Sequence, residues 1–142
     1  REDFDVAADV WSVTSFNELR REGLGCERWN MLHPQSRPRK SHVQSCLEGR
    51  TGPVVAASDY MKAYADQIRA FVPSTYKVLG TDGYGRSDTR QKLRWFFEVN
   101  RHYIAVAALK ALSEQEAVPA KRVQQAIKKY RLDPEKPNPV NT

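Results

Sequence analysis

Cysteine is scarce in this sequence, and long apolar runs are missing. The 142 residues contain only two cysteines, Cys26 and Cys46, which are too few for a disulfide framework and lack the paired spacing of a zinc site. No stretch reaches the roughly 18 consecutive apolar residues that a membrane span needs, and the N-terminus lacks the pattern of a signal peptide. We therefore expect two unpaired thiols in a soluble, cytoplasmic protein with no membrane partner.

The length and the charge narrow the class of protein further. A chain of 142 residues with 40% hydrophobic content fits one ordinary domain with a modest core, which excludes a large multidomain enzyme. Its first residue is Arg1 rather than Met, so we expect either a processed product or a piece of a longer chain.

The net charge of +6 raises the possibility of a polyanionic partner. The basic side chains fall into a loop and a helix face: Arg37, Arg39, Lys40, His42 and Arg50, then Lys121, Arg122, Lys128, Lys129 and Arg131. Neither set is interleaved with the aromatic residues that single-stranded nucleic acids stack upon. The pattern favours solvated or protein-facing surfaces, and a nucleic-acid partner is not expected.

Short apolar segments at residues 9–14, 53–58 and 76–82 are typical of strands buried on both faces, as in a parallel sheet covered by helices. Helical spacing of apolar residues follows at 61–72, 87–99, 100–112 and 119–130. We expect Ser87 or Asp88 to cap the second of these helices and Asn100 to cap the third. Residues 34–52 have the fewest structural signals, and 134–142 indicates an extended terminus. The alternation of strands and helices predicts an open α/β sheet with right-handed crossovers.

Two motifs have a possible chemical role. Residues 79–90, LGTDGYGRSDTR, place a Gly-containing turn between a predicted strand and a predicted helix, where open α/β folds bind ligands, although neither a dinucleotide nor a Walker motif is present. A structural strand-to-helix turn is the favoured interpretation. Residues 26–34, CERWNMLHP, could supply a Cys/His nucleophile pair, but packing residues are the favoured interpretation there too.

Three long strings carry a family resemblance: DVWSVTSFNELRREGLGCERWNMLHP at 9–34, ASDYMKAYADQIRAFVP at 57–73 and YKVLGTDGYGRSDTRQKLRWFFEV at 76–99. They resemble the C-terminal part of the homodimeric-type pyruvate dehydrogenase decarboxylating component, a thiamine-diphosphate-dependent family grouped with the transketolases. The resemblance covers nearly the whole chain, with the poorest match at 35–52. It implies an α/β fold with an open, mostly parallel, three-layer α/β/α sheet, truncated at its first strand and helix. The domain is expected at 1–133 and a tail at 134–142.

The resemblance also implies a function. In that family the full-length enzyme decarboxylates pyruvate on thiamine diphosphate with magnesium and acetylates the lipoyl group of the acetyltransferase component. The motifs for the metal, the diphosphate and thiazolium activation belong to preceding domains, so this chain is expected to be scaffold and interface, inactive alone, with no catalytic, cofactor or metal residue. The implied partners are the remaining domains, a second subunit of a homodimer and the lipoyl-bearing component.

The loop after the third predicted strand is the candidate interface near the active-site entrance; its residues are Asp82, Tyr84, Arg86, Ser87 and Asp88. Two alternatives remain open. One is an independent basic module that binds nucleic acid or another polyanion. The other is a fragment of a different transketolase-family enzyme that acts on sugar phosphates.

Overall fold

The computed structural model describes residues 2–142. In chain order its elements are α1 (Phe16–Leu32), α2 (His42–Leu47), β1 (Val54–Ala57), α3 (Lys62–Asp66), a 3₁₀ turn (Arg69–Phe71), β2 (Tyr76–Leu79), α4 (Arg90–Phe96), α5 (Arg101–Glu114), α6 (Ala120–Lys129) and a second 3₁₀ turn (Pro139–Asn141).

The two strands form a small parallel sheet. Val54 pairs with Tyr76, and Ala56 pairs with Val78. Because side chains alternate along a strand, these four residues lie on one face of the sheet. That face packs against a buried cluster contributed by α1, α2, α3 and the first 3₁₀ turn; its other buried members are Phe16, Val43, Ala65, Ile68 and Phe71. This is the larger of the two cores.

The opposite face of the sheet is covered by α5. Lys77 points to that face, and its Nζ lies 2.8 Å from a carboxylate oxygen of Glu114 on α5. α6 packs on the outer side of α5 around Leu109, Val123 and Ala126. The order helix, sheet, helix gives three layers, which confirms the predicted α/β class and the parallel pairing of the second and third predicted strands.

The predicted strand at residues 9–14 is wrong. That segment is irregular and exposed, with Val10 94% and Trp11 51% accessible to solvent. Within residues 2–142 the sheet consists of β1 and β2, so the segment has no strand beside it to accept its backbone hydrogen bonds. It is attached instead by an ion pair between Asp9 and Arg50, whose guanidinium also lies 5.2 Å from the Trp11 ring centroid.

The helix predicted at 61–72 is shorter than its apolar spacing suggests. α3 ends at Asp66, and a 3₁₀ turn follows at Arg69–Phe71. The Tyr76 hydroxyl donates a 2.9 Å hydrogen bond to the Ala65 carbonyl, which is the carbonyl that an amide four residues further along would use in a continuing helix. Burial raises the pKa of Tyr76 to about 12, so the hydroxyl remains a donor at neutral pH.

The segment 34–52, which the sequence indicates as the least structured, contains α2. Ser41 Oγ accepts a hydrogen bond from the Gln44 amide at 3.2 Å, and Gln44 Oε1 accepts one from the Ser41 amide at 2.8 Å. This reciprocal pair is a capping box, and Ser41 is fully buried. The Ser-x-x-Gln spacing was therefore a helix signal inside a stretch dominated by basic residues.

The structure also shows which residues cap α4 and α5 and how the tail is held. α4 is capped by Thr89 rather than by Ser87 or Asp88. Asn100 caps α5 as predicted, accepting hydrogen bonds from two amides of its first turn. The tail is attached to the body, because Lys136 Nζ donates 2.8 Å to the Phe96 carbonyl and lies 2.9 Å from Glu98 Oε1.

Candidate functional site

The loop after β2 begins with a tightly packed turn against the start of α3. The Thr81 amide donates to the Tyr60 carbonyl at 2.9 Å, and Asp82 Oδ1 accepts from the Lys62 amide at 2.8 Å. α3 has no cap from its own N-cap side chain, so Asp82 satisfies one of the amides that every helix start leaves open. This hydrogen bond to the start of α3 gives Asp82 a structural role.

Gly83 and Tyr84 form the outermost part of this loop. Gly83 has φ +109°, and a Cβ built there would lie 2.3 Å from the Pro139 carbonyl oxygen, so only glycine fits this contact with the tail. Tyr84 is 80% exposed. An exposed aromatic ring on a loop that is fixed from behind is typical of a contact surface.

Arg86, Ser87 and Asp88 line a shallow depression of about 490 Å³ together with Lys92, Trp95 and Phe96 of α4. The Arg86 guanidinium carbon lies 4.2 Å from the Phe96 ring centroid, a cation–π contact that orients the side chain. Asp88 Oδ1 accepts from the Thr89 amide at 2.7 Å. Of the five predicted site residues, the structure brings these three together, whereas Asp82 and Tyr84 lie outside the depression.

The CERWNMLHP motif does not form a Cys/His pair. The Cys26 thiol donates to Glu22 Oε1 at 3.2 Å, and burial together with this carboxylate raises the pKa of the thiol. The His33 ring stacks on Trp29 with centroids 4.4 Å apart, and its Nδ1 lies 2.8 Å from the Trp29 carbonyl. These contacts support the packing interpretation.

A second, larger concavity of about 1200 Å³ lies beyond the carboxyl end of β1. We call it the basic cleft and define it by Asp59, Arg90, Lys92, Arg94, Trp95 and Arg101. Arg94 Nη2 lies 2.7 Å from Asp59 Oδ2, and this hydrogen bond lowers the pKa of Asp59 below its usual range.

The basic cleft was not predicted from the sequence, because Asp59 and Arg94, which form its ion pair, are 35 positions apart in the chain. One signal was present. Asp59 follows the second predicted strand, and side chains just beyond the carboxyl end of a parallel strand are where open α/β sheets collect their ligand contacts.

Comparison with known proteins assigns the family. The model of the transketolase-like TK C-terminal domain matches residues 1–100, and the chain belongs to that family. The small parallel sheet, α1 to α4 and the loop 79–90 fall within the matched part, whereas α5 and α6 lie beyond it.

Particular relatives narrow the assignment. The chain is similar to the pyruvate dehydrogenase E1 component of Pseudomonas aeruginosa, with 61% identity over 142 residues. It is also 55% identical over 141 residues to that of Cupriavidus necator and 49% identical over 138 residues to that of Escherichia coli K12. These alignments cover 96–99% of the chain but only 15–16% of each relative, so the chain spans about one-sixth of their length. The resemblance seen in the sequence is confirmed.

None of the helices described within residues 2–142 has the length and apolar character needed to cross a membrane.

Proposed function

We propose that this chain is the C-terminal portion of a pyruvate dehydrogenase decarboxylating component. The observation that carries the proposal is the identity of 61% along the chain with a pyruvate dehydrogenase E1 component. In the proposed full-length enzyme, a cytoplasmic homodimer, pyruvate is oxidatively decarboxylated and the acetyl group passes to a lipoyl group. Thiamine diphosphate, bound with magnesium by the preceding domains, would supply the electron sink that decarboxylation needs.

The chain's own role in this proposal is structural. Residues 1–133 form the domain, and 134–142 form a tail that packs against it. Within residues 2–142 no three His, Cys, Asp or Glu side chains are grouped to hold a metal ion. We therefore assign no step of the pyruvate reaction to the residues of this chain.

The activity is tested on the full-length gene product supplied with thiamine diphosphate and magnesium. We expect pyruvate to be consumed and a lipoyl domain to be acetylated, as followed by mass spectrometry of that domain. Xylulose 5-phosphate serves as the comparison substrate, and preference for it would support a different transketolase-family enzyme. DNA binding with a steep salt dependence and no turnover of pyruvate would support the basic-module alternative.

We also propose that the loop carrying Asp82, Tyr84, Arg86, Ser87 and Asp88 contacts a neighbouring domain or the approaching lipoyl domain. Three features support this role. Tyr84 is 80% exposed, the Phe96 ring orients Arg86, and the contacts of Asp82 and Gly83 fix the loop from behind. An exposed surface that is already ordered loses little conformational entropy when a partner binds.

Charge reversal at Arg86 tests this interface in the full-length enzyme. We expect Arg86→Glu to slow acetylation of the lipoyl domain about fivefold or more, or to weaken the dimer, because a charge at the edge of an interface mainly steers association. Arg20→Glu, an equal charge change on exposed α1, is the matched control. If acetylation and dimer dissociation are both unchanged in Arg86→Glu, the loop is not this interface.

A further inference from the structure

The basic cleft lies at a topological switch point of the sheet. The chain leaves β1 towards α3 on one face, and it leaves β2 towards α4 and α5, of which α5 covers the other face. Adjacent parallel strands whose connections diverge in this way open a crevice at their carboxyl ends, and open α/β folds bind ligands there. The basic cleft occupies that place, beginning at Ala57, Ser58 and Asp59.

Positive charge dominates the lining of the cleft. Four cationic side chains, Arg90, Lys92, Arg94 and Arg101, line the cleft with one carboxylate, Asp59. Lys92 Nζ also lies 3.8 Å from the carboxylate of Asp88, which is not part of this lining. Arg94 already satisfies Asp59, while Arg90 lies 3.8 Å from it and remains 79% exposed. Among residues 2–142, Arg101 has no carboxylate oxygen within 4.0 Å. Uncompensated cations in a concave site attract anions more strongly than they would on a flat surface, because the walls exclude water.

Trp95 supplies an aromatic surface beside these cations. Its side chain lines the cleft and is 46% exposed, which is unusual for so large an apolar group. A cavity of about 1200 Å³ has room for a ligand with both a charged and a flat part. Guanidinium groups bind phosphate oxygens in a bidentate manner, and an indole ring stacks well on a nucleobase.

We propose that the basic cleft binds a small phosphorylated ligand of the nucleoside diphosphate class. The phosphates interact with Arg90, Lys92 and Arg101, and the base lies against Trp95. Arg94 serves as a positioning residue, since its guanidinium is held by Asp59. This binding site adjoins the loop proposed above as a protein interface, and it shares Lys92 and Trp95 with the depression that the loop lines.

Hydrogen exchange with mass spectrometry tests the site in the full-length protein saturated with thiamine diphosphate, so that phosphate cannot enter the cofactor site. The probes are adenosine diphosphate and inorganic pyrophosphate, each with calorimetry for affinity. We expect both to slow exchange in peptides covering residues 89–102. Adenosine diphosphate should bind about fivefold or more tightly than pyrophosphate, because only it can stack on Trp95.

Variants separate the two contacts. Arg101→Glu should weaken both probes at least about tenfold, whereas Trp95→Ala should weaken adenosine diphosphate and leave pyrophosphate unchanged. Lys121→Glu, the same charge change on exposed α6, is the control and should leave both affinities unchanged. The measurement needs no pyruvate turnover, so its failure is distinct from failure of the proposed function.

Four results would overturn the proposal. They are absence of binding by either probe at millimolar concentration, protection confined to other peptides, equal affinity of the two probes, and slow exchange of 89–102 before any ligand is added. The last would show that another part of the protein already covers the cleft.

Discussion

The segment 9–14 and the two strands of the sheet have similar sequences and different structures. DVWSVT, PVVAAS and YKVLGTD are all short, rich in valine or alanine, and followed by polar residues. β1 and β2 pair with each other and bury one face on α1, α2 and α3, whereas Val10 remains 94% exposed. An apolar pattern therefore allows a segment to form a strand, but the segment also needs a neighbouring strand to accept its backbone hydrogen bonds.

The sharpest way to test this contrast is to place the same charge in both segments. Val78→Asp in β2 puts a carboxylate against the larger core and should lower the free energy of unfolding by about 3 kcal/mol or more. Val10→Asp, at a 94% exposed position, should change it by less than about 0.5 kcal/mol. Urea denaturation of the 142-residue chain, followed by circular dichroism, measures both; equal losses would show that 9–14 is packed in solution.

A smaller effect is expected from glycines that flank the two strands. A Cβ at Gly80, just after β2, would lie 2.6 Å from the Tyr60 carbonyl oxygen and 2.7 Å from the Lys62 nitrogen, so Gly80→Ala should destabilise by about 1–3 kcal/mol. Gly52, just before β1, has no atom within 4 Å of such a Cβ, so Gly52→Ala is the matched control and should be near neutral. Thermal unfolding compares them, and a neutral Gly80→Ala would mean that the turn adjusts easily.

The smallest effect concerns the ion pair at the end of β1. The hydrogen bond from Arg94 lowers the pKa of Asp59, so the pair stabilises the fold above the unfolded-state pKa of about 3.9. That contribution is lost as pH falls through the lower folded-state value. Both side chains are partly exposed, so Arg94→Gln should cost less than about 1 kcal/mol at neutral pH.

The measurement for this pair is the difference in urea midpoint between wild type and Arg94→Gln across acidic pH. The difference should shrink once Asp59 becomes protonated, and a pH-independent difference would attribute the loss to packing instead. Arg50→Gln removes the ion-pair partner of Asp9. The same urea measurement on this variant gives the contribution of the ion pair that attaches segment 9–14.

The sequence predicts elements well where the signal is local. The apolar segments that form β1 and β2 and the Asn100 cap of α5 can each be recognised within a few consecutive residues. The structure confirms all three. The end of α3 was not predictable in this way, since the group that occupies the Ala65 carbonyl belongs to Tyr76. The capping box of α2 was visible as Ser41 and Gln44, but the surrounding basic residues concealed it.

The two candidate sites show the same difference between local and distant signals. Arg86, Ser87 and Asp88 are neighbours in sequence, and they share one depression in the structure. The basic cleft needs Asp59 from the end of β1 and Arg94 from α4, and only the sheet topology brings these two together. A site built by one loop is therefore easier to predict from the sequence than a site whose residues come from separate elements.

Residues near the beginning of the described chain are held by its last helix. Asp3 forms an ion pair with Lys129 and accepts a 2.8 Å hydrogen bond from the Tyr130 hydroxyl, and Phe4 meets the Tyr130 ring edge to face. During synthesis at about 5–20 residues per second, Asp3 must wait roughly 6–25 s before these partners have been made. The part of the second core that joins these early residues to α6 therefore cannot form until residues 129 and 130 have been synthesised.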